Sequence, residues 1–234
     1  MITRQGPCCS GMGRLPTPTI SRLSIIESKE RETGGNRSYR TIARASLPLD
    51  TVLLARYLLG KLLVRKTPRG TLIGRIVETE AYPIDDAAGH AYRGVTPRNR
   101  ALFLTRGHAY VYLAYGTSWM LNVSSEAAGV GAGVLIRALE PLEGISSMER
   151  NRGVRNLRDL ARGPGRLAAA LQIDRSLDGM DLCGTGPLRL AQDGHAAPWT
   201  GVSHRIGLSR QTNRLLRFYV RDNPWVSGPG KLNR

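Results

Sequence analysis

The sequence predicts an α+β domain built around a mainly antiparallel β-sheet. Candidate strands outnumber candidate helices, and the two do not alternate in regular βαβ units. Length sets the scale, because 234 residues suit one domain, or one domain with a tail. A hydrophobic fraction of 41% is enough for a sizeable core.

Residues 1–45 differ from the rest. Pro16, Pro18 and the Gly34-Gly35 pair lie among Ser, Thr and Arg, and Ile20, Leu23, Ile25 and Ile26 are too few to build a core. A flexible, disordered basic arm is expected there. Residues 1–46 hold eight basic and three acidic side chains, a net +5. The arm either adds phosphate attraction or reflects a start codon placed too early, and both readings stand. The domain is expected over residues 46–228, with 229–234 as a C-terminal tail.

Within the domain, Asp50 caps a helix over Thr51–Leu59 that Gly60 ends. Lys61–Lys66 and Thr71–Tyr82 read as strands joined by a turn at Pro68-Arg69-Gly70. Pro83–Arg100 is a long polar loop, a length usually tied to function. Ala109–Ala114 and Met120–Ser124 are strands around a tight connection at Tyr115-Gly116, and Gly133–Leu139 is another strand. Met148–Ala161 and Arg166–Leu171 read as helices, Asp181–Leu190 and Leu216–Val220 as strands.

Lys and Arg number 34 against 18 Asp and Glu, a net +16, which points to a polyanion such as nucleic acid or an anionic membrane surface. Arginine outnumbers lysine, which suits bidentate phosphate contacts, although codon bias gives the same excess. No apolar run reaches the length of a membrane span, and the N-terminus lacks the apolar block of a secretory signal. Cys8, Cys9 and Cys183 form no metal or disulfide pattern, which fits a reducing cytoplasm. His90, His108, His195 and His204 lack metal-ligand spacing, so neither a metal nor an organic cofactor is expected.

The strand Arg75–Tyr82 is the first site candidate. Alternation places Ile76, Glu78, Glu80 and Tyr82 on one face. Like charges on an apolar-flanked strand need solvent or partners. On the segment alone, a wet edge strand is the simpler reading, and a general base beside a pocket the sharper one.

Further blocks follow it: Asp86-Ala87-Ala88-Gly89-His90, Gly94-Val95-Thr96-Pro97-Arg98-Asn99-Arg100, and the stretch from Gly107 through Tyr110, Tyr112 and Tyr115 to Gly116. Leu121-Asn122-Val123, Leu135–Gly144, Gly163–Leu167, Arg205-Ile206-Gly207, Arg217–Val220 and Pro224–Ser227 continue the series. In this order they closely resemble the alkyladenine (3-methyladenine) DNA glycosylase family over roughly Leu47–Gly228. The resemblance implies a single curved-sheet domain with flanking helices and a protruding β-hairpin. It implies a monofunctional, monomeric enzyme without lyase activity. Its substrate would be double-stranded DNA containing damaged purines, flipped out and hydrolysed to leave an abasic site.

Residue by residue, the resemblance makes Glu80 the carboxylate that activates water and Arg137 the arginine that orders it, with Glu78 a structural neighbour. Tyr82, His90, Tyr112 and Asn122 match the base pocket. Tyr115 matches the hairpin-tip side chain that fills the gap left by the flipped nucleotide. Arg98, Arg100 and Arg166 match DNA-backbone contacts, Arg166 standing where lysine is common. A shorter stretch between Tyr82 and Asp86, and a longer one between Asn122 and Arg137, leave base preference open.

The chemistry fits a carboxylate, since glycosidic cleavage builds positive charge on the sugar. A nearby guanidinium keeps such a carboxylate ionised. Aromatic faces suit purines, cationic ones above all. Two alternatives stand beside this reading. One is a nucleic-acid binder on the same fold without catalysis. The other is a carbohydrate hydrolase using Glu78 and Glu80, although carboxylates at i and i+2 approach a sugar from the same side.

Overall fold

The computed structural model describes residues 32–34 and 37–233. Its centre is a ten-stranded sheet. The strands are β1 (Glu32–Gly34), β2 (Arg37–Thr41), β3 (Leu62–Thr67), β4 (Gly70–Tyr82), β5 (Ala109–Ala114), β6 (Ser118–Ser124), β7 (Gly133–Glu143), β8 (Leu188–Gln192), β9 (Thr200–Ser203) and β10 (Arg217–Val220). They run in the order β1-β2-β8-β3-β4-β7-β6-β5, with β10 on β4 and β9 on β10. Every pairing between them is antiparallel. Among the described residues three α-helices flank the sheet, α1 (Thr51–Leu58), α2 (Ile145–Arg152) and α3 (Pro164–Ala170). The architecture is the expected α+β one.

Strand β4 organises the molecule. One edge pairs with β7 from Ile73 to Tyr82. The other edge pairs first with β3, over Gly70–Arg75, and then with β10 at Glu78, Thr79 and Glu80. The sheet forks there, and the two glutamates lie at the fork. The wet-edge reading of this strand is therefore corrected: β4 is central, and Glu78 and Glu80 are both 0% exposed.

The face assignment also changes. The β4–β7 register skips Val77 on one strand and Arg137 on the other, a pair of bulges. Ile76 consequently packs in the main core with Ala81, while Val77 packs with Ala138, Tyr219 and Val226. Glu78, Glu80 and Tyr82 stay together, and Ile76 leaves their face.

Helix α1 starts where Asp50 accepts the Leu53 N–H at 2.7 Å. Its buried side, Leu54, Ala55 and Leu58, covers the sheet, and Ala55 O accepts the Thr79 hydroxyl at 2.9 Å. The helix expected to reach Ala161 stops at Arg152, because Gly153 is left-handed (φ 66°) and its N–H closes on Glu149 O. The expected strand Asp181–Leu190 is cut to Leu188–Gln192, since a turn-rich stretch precedes it.

Residues 37–41 form β2, which pairs with β8, and Tyr39 and Ile42 are buried at 2% and 1% exposure. They need no core of their own, because they join one already built. The arm expected over 1–45 otherwise falls mostly outside the described residues. At the other end, Arg217 donates to Leu232 O at 3.0 Å and to Asn233 Oδ1 at 2.7 Å, so the described part of the tail is tied to the domain. Among the described residues, no helix is long and apolar enough to cross a membrane.

Candidate active site

A cavity of about 430 Å³ opens where the end of β4, the β5–β6 hairpin and the 83–100 loop converge. That volume lies within the range of small-ligand pockets. Tyr82, His90, Tyr112, Tyr115, Asn122 and Arg137 all line it, so the residues singled out for a base pocket are brought together.

Glu80 stands directly behind this wall. Its Oε2 accepts the Tyr82 hydroxyl at 2.9 Å, and its Oε1 accepts the Ile206 N–H at 2.8 Å and lies 3.1 Å from Arg137 Nη1. All three donors belong to cavity-lining residues. A carboxylate offers about four lone-pair directions. Three of these are taken by the donors just named.

Arg137 bridges the two glutamates. Its Nε donates to Glu78 Oε1 at 2.8 Å, while Nη1 faces Glu80. Burial would lower its pKa, but the Glu80 and Glu78 carboxylates outweigh burial and raise it. Burial would raise the Glu78 carboxyl, yet the Arg137 and Arg217 guanidiniums hold it below the usual carboxylate value. Burial, reinforced by the Glu80 carboxylate, drives the Tyr82 phenol far up, so it remains a hydrogen-bond donor.

The aromatic wall is built from strand spacing. Tyr110 and Tyr112, two apart on β5, stack with ring centres 5.3 Å apart. The His90 ring meets Tyr112 edge-on at 4.4 Å, and its Nδ1 shares a 2.9 Å hydrogen bond with Tyr110 Oη. Burial, and then Arg98, lower the His90 pKa, which favours the neutral ring. Burial pushes the Tyr110 phenol up to about 12. Tyr110 also lines the cavity and shares its hydroxyl with His90. Asn122 is register-paired with Tyr110, and its Nδ2 donates to Tyr110 O at 3.4 Å.

Tyr115 occupies the tip of the β5–β6 hairpin, where Ala114 pairs with Ser118. It is 90% exposed, with a left-handed φ of 52°, followed by Gly116 at 70°. The ring stands clear of its own sheet. Such a conformation is costly for a bulky residue and draws attention to function.

The three arginines expected on DNA differ. Arg98 lines the cavity, lies 5.7 Å from the Tyr112 ring centre and donates to Leu113 O at 3.3 Å. Arg100 is exposed and begins a short 3-10 turn. Arg166 is exposed near the tip end of the β5–β6 hairpin but already paired with Asp159 at 2.8 Å.

Sequence reasoning gave no role to several residues that complete the site. Arg205 ion-pairs with Asp86, both fully buried, donates to Ala81 O at 2.9 Å and lies 4.6 Å from the Tyr82 ring centre. The Asp86 carboxylate also accepts the Ala88 N–H at 3.0 Å, which shapes the loop leading to His90. Ile206 supplies its N–H to Glu80, and Arg217 and Ser227 supply donors to Glu78. The blocks containing them were visible, but their distance along the chain hid the contacts.

The sequence model for methylpurine-DNA glycosylase matches residues 46–224. A protein of Mesorhizobium japonicum is 69% identical over 191 residues, which cover 82% of this chain and 92% of the relative. One of Paraburkholderia phytofirmans is 52% identical over 191 residues, covering 82% and 90%. One of Methanocella arvoryzae is 45% identical over 189 residues, covering 78% and 94%. Each carries the name "Putative 3-methyladenine DNA glycosylase". The matched span takes in β3 to β10 and every cavity residue described above, and the chain belongs to the methylpurine-DNA glycosylase family.

Proposed function

We propose that this protein excises alkylated or deaminated purines from double-stranded DNA by hydrolysing the N-glycosidic bond of a flipped nucleotide. The observation that carries the reading is the Glu80 carboxylate, held by three donors from residues that line an aromatic cavity; its fourth lone-pair direction is the one this reading assigns to the attacking water. Glu80 receives a proton from one water as the water oxygen bonds to C1′. The C1′–N bond breaks, and the base leaves with its electron pair. Positive charge building on the sugar is stabilised by the nearby carboxylate. General-base assistance of this kind is worth roughly 10²- to 10⁴-fold.

An alkylated, cationic purine leaves as a neutral base and needs no further proton; a deaminated, neutral purine leaves as an anion and takes up one proton, which balances the proton that water gave to Glu80. The Tyr82 and Tyr112 rings offer faces to stack on it. Tyr115 fills the gap in the duplex, because a target inside the stack is unreachable and a wedge opposes its return. The net +16 charge supplies attraction to phosphate. Among the described residues lining the cavity there is no lysine, which supports a monofunctional enzyme without Schiff-base lyase chemistry.

The carbohydrate-hydrolase alternative is disfavoured, because both Glu78 oxygens are occupied: Oε1 by Arg137 and Arg217, Oε2 by the Ser227 N–H. The non-catalytic alternative leaves the ordered Glu80–Arg137 pair unexplained. Incubation with alkylated duplex DNA, with chromatographic identification of the freed bases, tests the proposal. Free 3-methyladenine or 7-methylguanine is expected alongside abasic DNA with intact strands. No freed base, or strand cleavage coupled to release, would count against it.

A further inference from the structure

Glu78 takes no part in the hydrolysis described above, yet it is firmly fixed. Its Oε1 accepts from Arg137 Nε at 2.8 Å and from Arg217 Nε at 2.7 Å, and its Oε2 accepts from the Ser227 N–H at 2.7 Å. Arg217 is itself 0% exposed and donates to Ser203 Oγ, Ser227 O, Leu232 O and Asn233 Oδ1 at 2.7–3.0 Å. A buried group satisfied on every side is rigid. Glu78 is therefore anchored to β10 and to the C-terminal segment.

Arg137 depends on that anchor. It sits on the β7 bulge without a register partner, so strand pairing does not by itself fix its side chain. Glu78 grips its Nε, and only then does Nη1 stand 3.1 Å from Glu80 Oε1, with Nη2 directed at Ser227 Oγ 3.4 Å away.

We propose that Glu78 is a positioning residue for base release: it sets where the Arg137 guanidinium stands, and so keeps one Glu80 lone pair open to water. The proposal rests on the function given above and extends it. A guanidinium fits a carboxylate through two parallel N–H bonds. Released from Glu78, Arg137 would engage Glu80 in that way and cover the site that water needs. Charge acts in the same direction. Glu78, Glu80, Arg137 and Arg217 together sum to zero, and removing the Glu78 charge leaves Glu80 facing an uncompensated cation.

The test measures single-turnover base release from a duplex carrying one 7-methylguanine, and affinity for that duplex. It uses the full chain as wild type, Glu78→Gln, Arg137→Ala and the double variant, with Glu80→Gln alongside. Glu78→Gln is expected to release base about 10- to 100-fold more slowly, with affinity within about twofold, as a misplacement of about 1 Å would cause. In the Arg137→Ala background the same change should cost less than about threefold, because the route to Glu80 is already gone. Equal losses in both backgrounds, or a wild-type rate for Glu78→Gln, overturn the proposal. If Glu78→Gln does not fold, Glu78→Asp retains the charge and draws the carboxylate back by one methylene. A several-fold slower release by Glu78→Asp supports the proposal, and an unchanged rate overturns it. An inactive wild type, or an active Glu80→Gln, removes the functional reading itself and this inference with it.

Discussion

Replacing Tyr115 with alanine removes the ring at the hairpin tip while leaving the fold untouched, because that ring is 90% exposed. The left-handed backbone is equally demanding for alanine, so the turn keeps its shape. An aromatic side chain buries on the order of 150–250 Å² when enclosed. If roughly 100 Å² enters the duplex, about 2.5 kcal/mol is at stake at ~25 cal/mol per Å². Base–aromatic stacking energies of about 1–3 kcal/mol agree. Loss of this wedge should therefore slow release of a paired lesion about 5- to 150-fold. A bulged lesion has less stacking to break, and its release should slow less than about fivefold. Single-turnover base release on matched paired and bulged duplexes measures both, with thermal melting as a control. Equal losses on the two substrates, or a marked fall in Tm, would refute the wedge.

The remaining expectations follow from the same geometry. Because burial and Arg98 depress the His90 pKa, the unfolded chain takes up a proton that the folded chain resists. Stability from this group is full above about pH 6.5 and is lost as pH falls below it; thermal melts from pH 5 to 8 should show a steeper acid decline for wild type than for His90→Phe. Asp86→Asn leaves the fully buried Arg205 without its ion partner, a change expected to cost about 3–5 kcal/mol and lower Tm by roughly 10 °C in thermal melts. Arg100→Ala should weaken binding to any duplex and reduce the slope of log K against log salt by about 1. Arg166→Ala should do so less, because Asp159 already neutralises Arg166; fluorescence anisotropy over a salt series compares the two.

Much of the site was legible because its parts are local. Glu80 and Tyr82 lie on one strand, Tyr112, Tyr115 and Asn122 on one hairpin, and Asp50 and Gly60 bracket α1 with standard end signals. What was not legible depends on distance or on single-residue geometry. Glu78 meets Arg217 and Ser227 across 139 and 149 positions, and no local pattern announces such contacts. The bulge at Val77 breaks the alternation that had grouped Ile76 with the glutamates. Strand β9 is four residues long with Gly201 inside it, where a Cβ would come within 2.3 Å of the Tyr219 ring; it reads as a loop until that packing is known. Gly153 ended a helix that composition carried on to Ala161. Tyr39 and Ile42 lie in a stretch too poor in apolar residues to fold by itself, and only the finished sheet gives them a place.

The most direct test of glutamate-assisted hydrolysis is single-turnover release of a damaged base by Glu80→Gln, with affinity for the lesion duplex measured on the same preparation. The variant removes the negative charge and keeps the side-chain shape. Base release should fall by roughly 10²-fold or more, equivalent to about 2.7 kcal/mol or more of barrier, while lesion binding persists. Release within tenfold of wild type would show that Glu80 does not activate the attacking water.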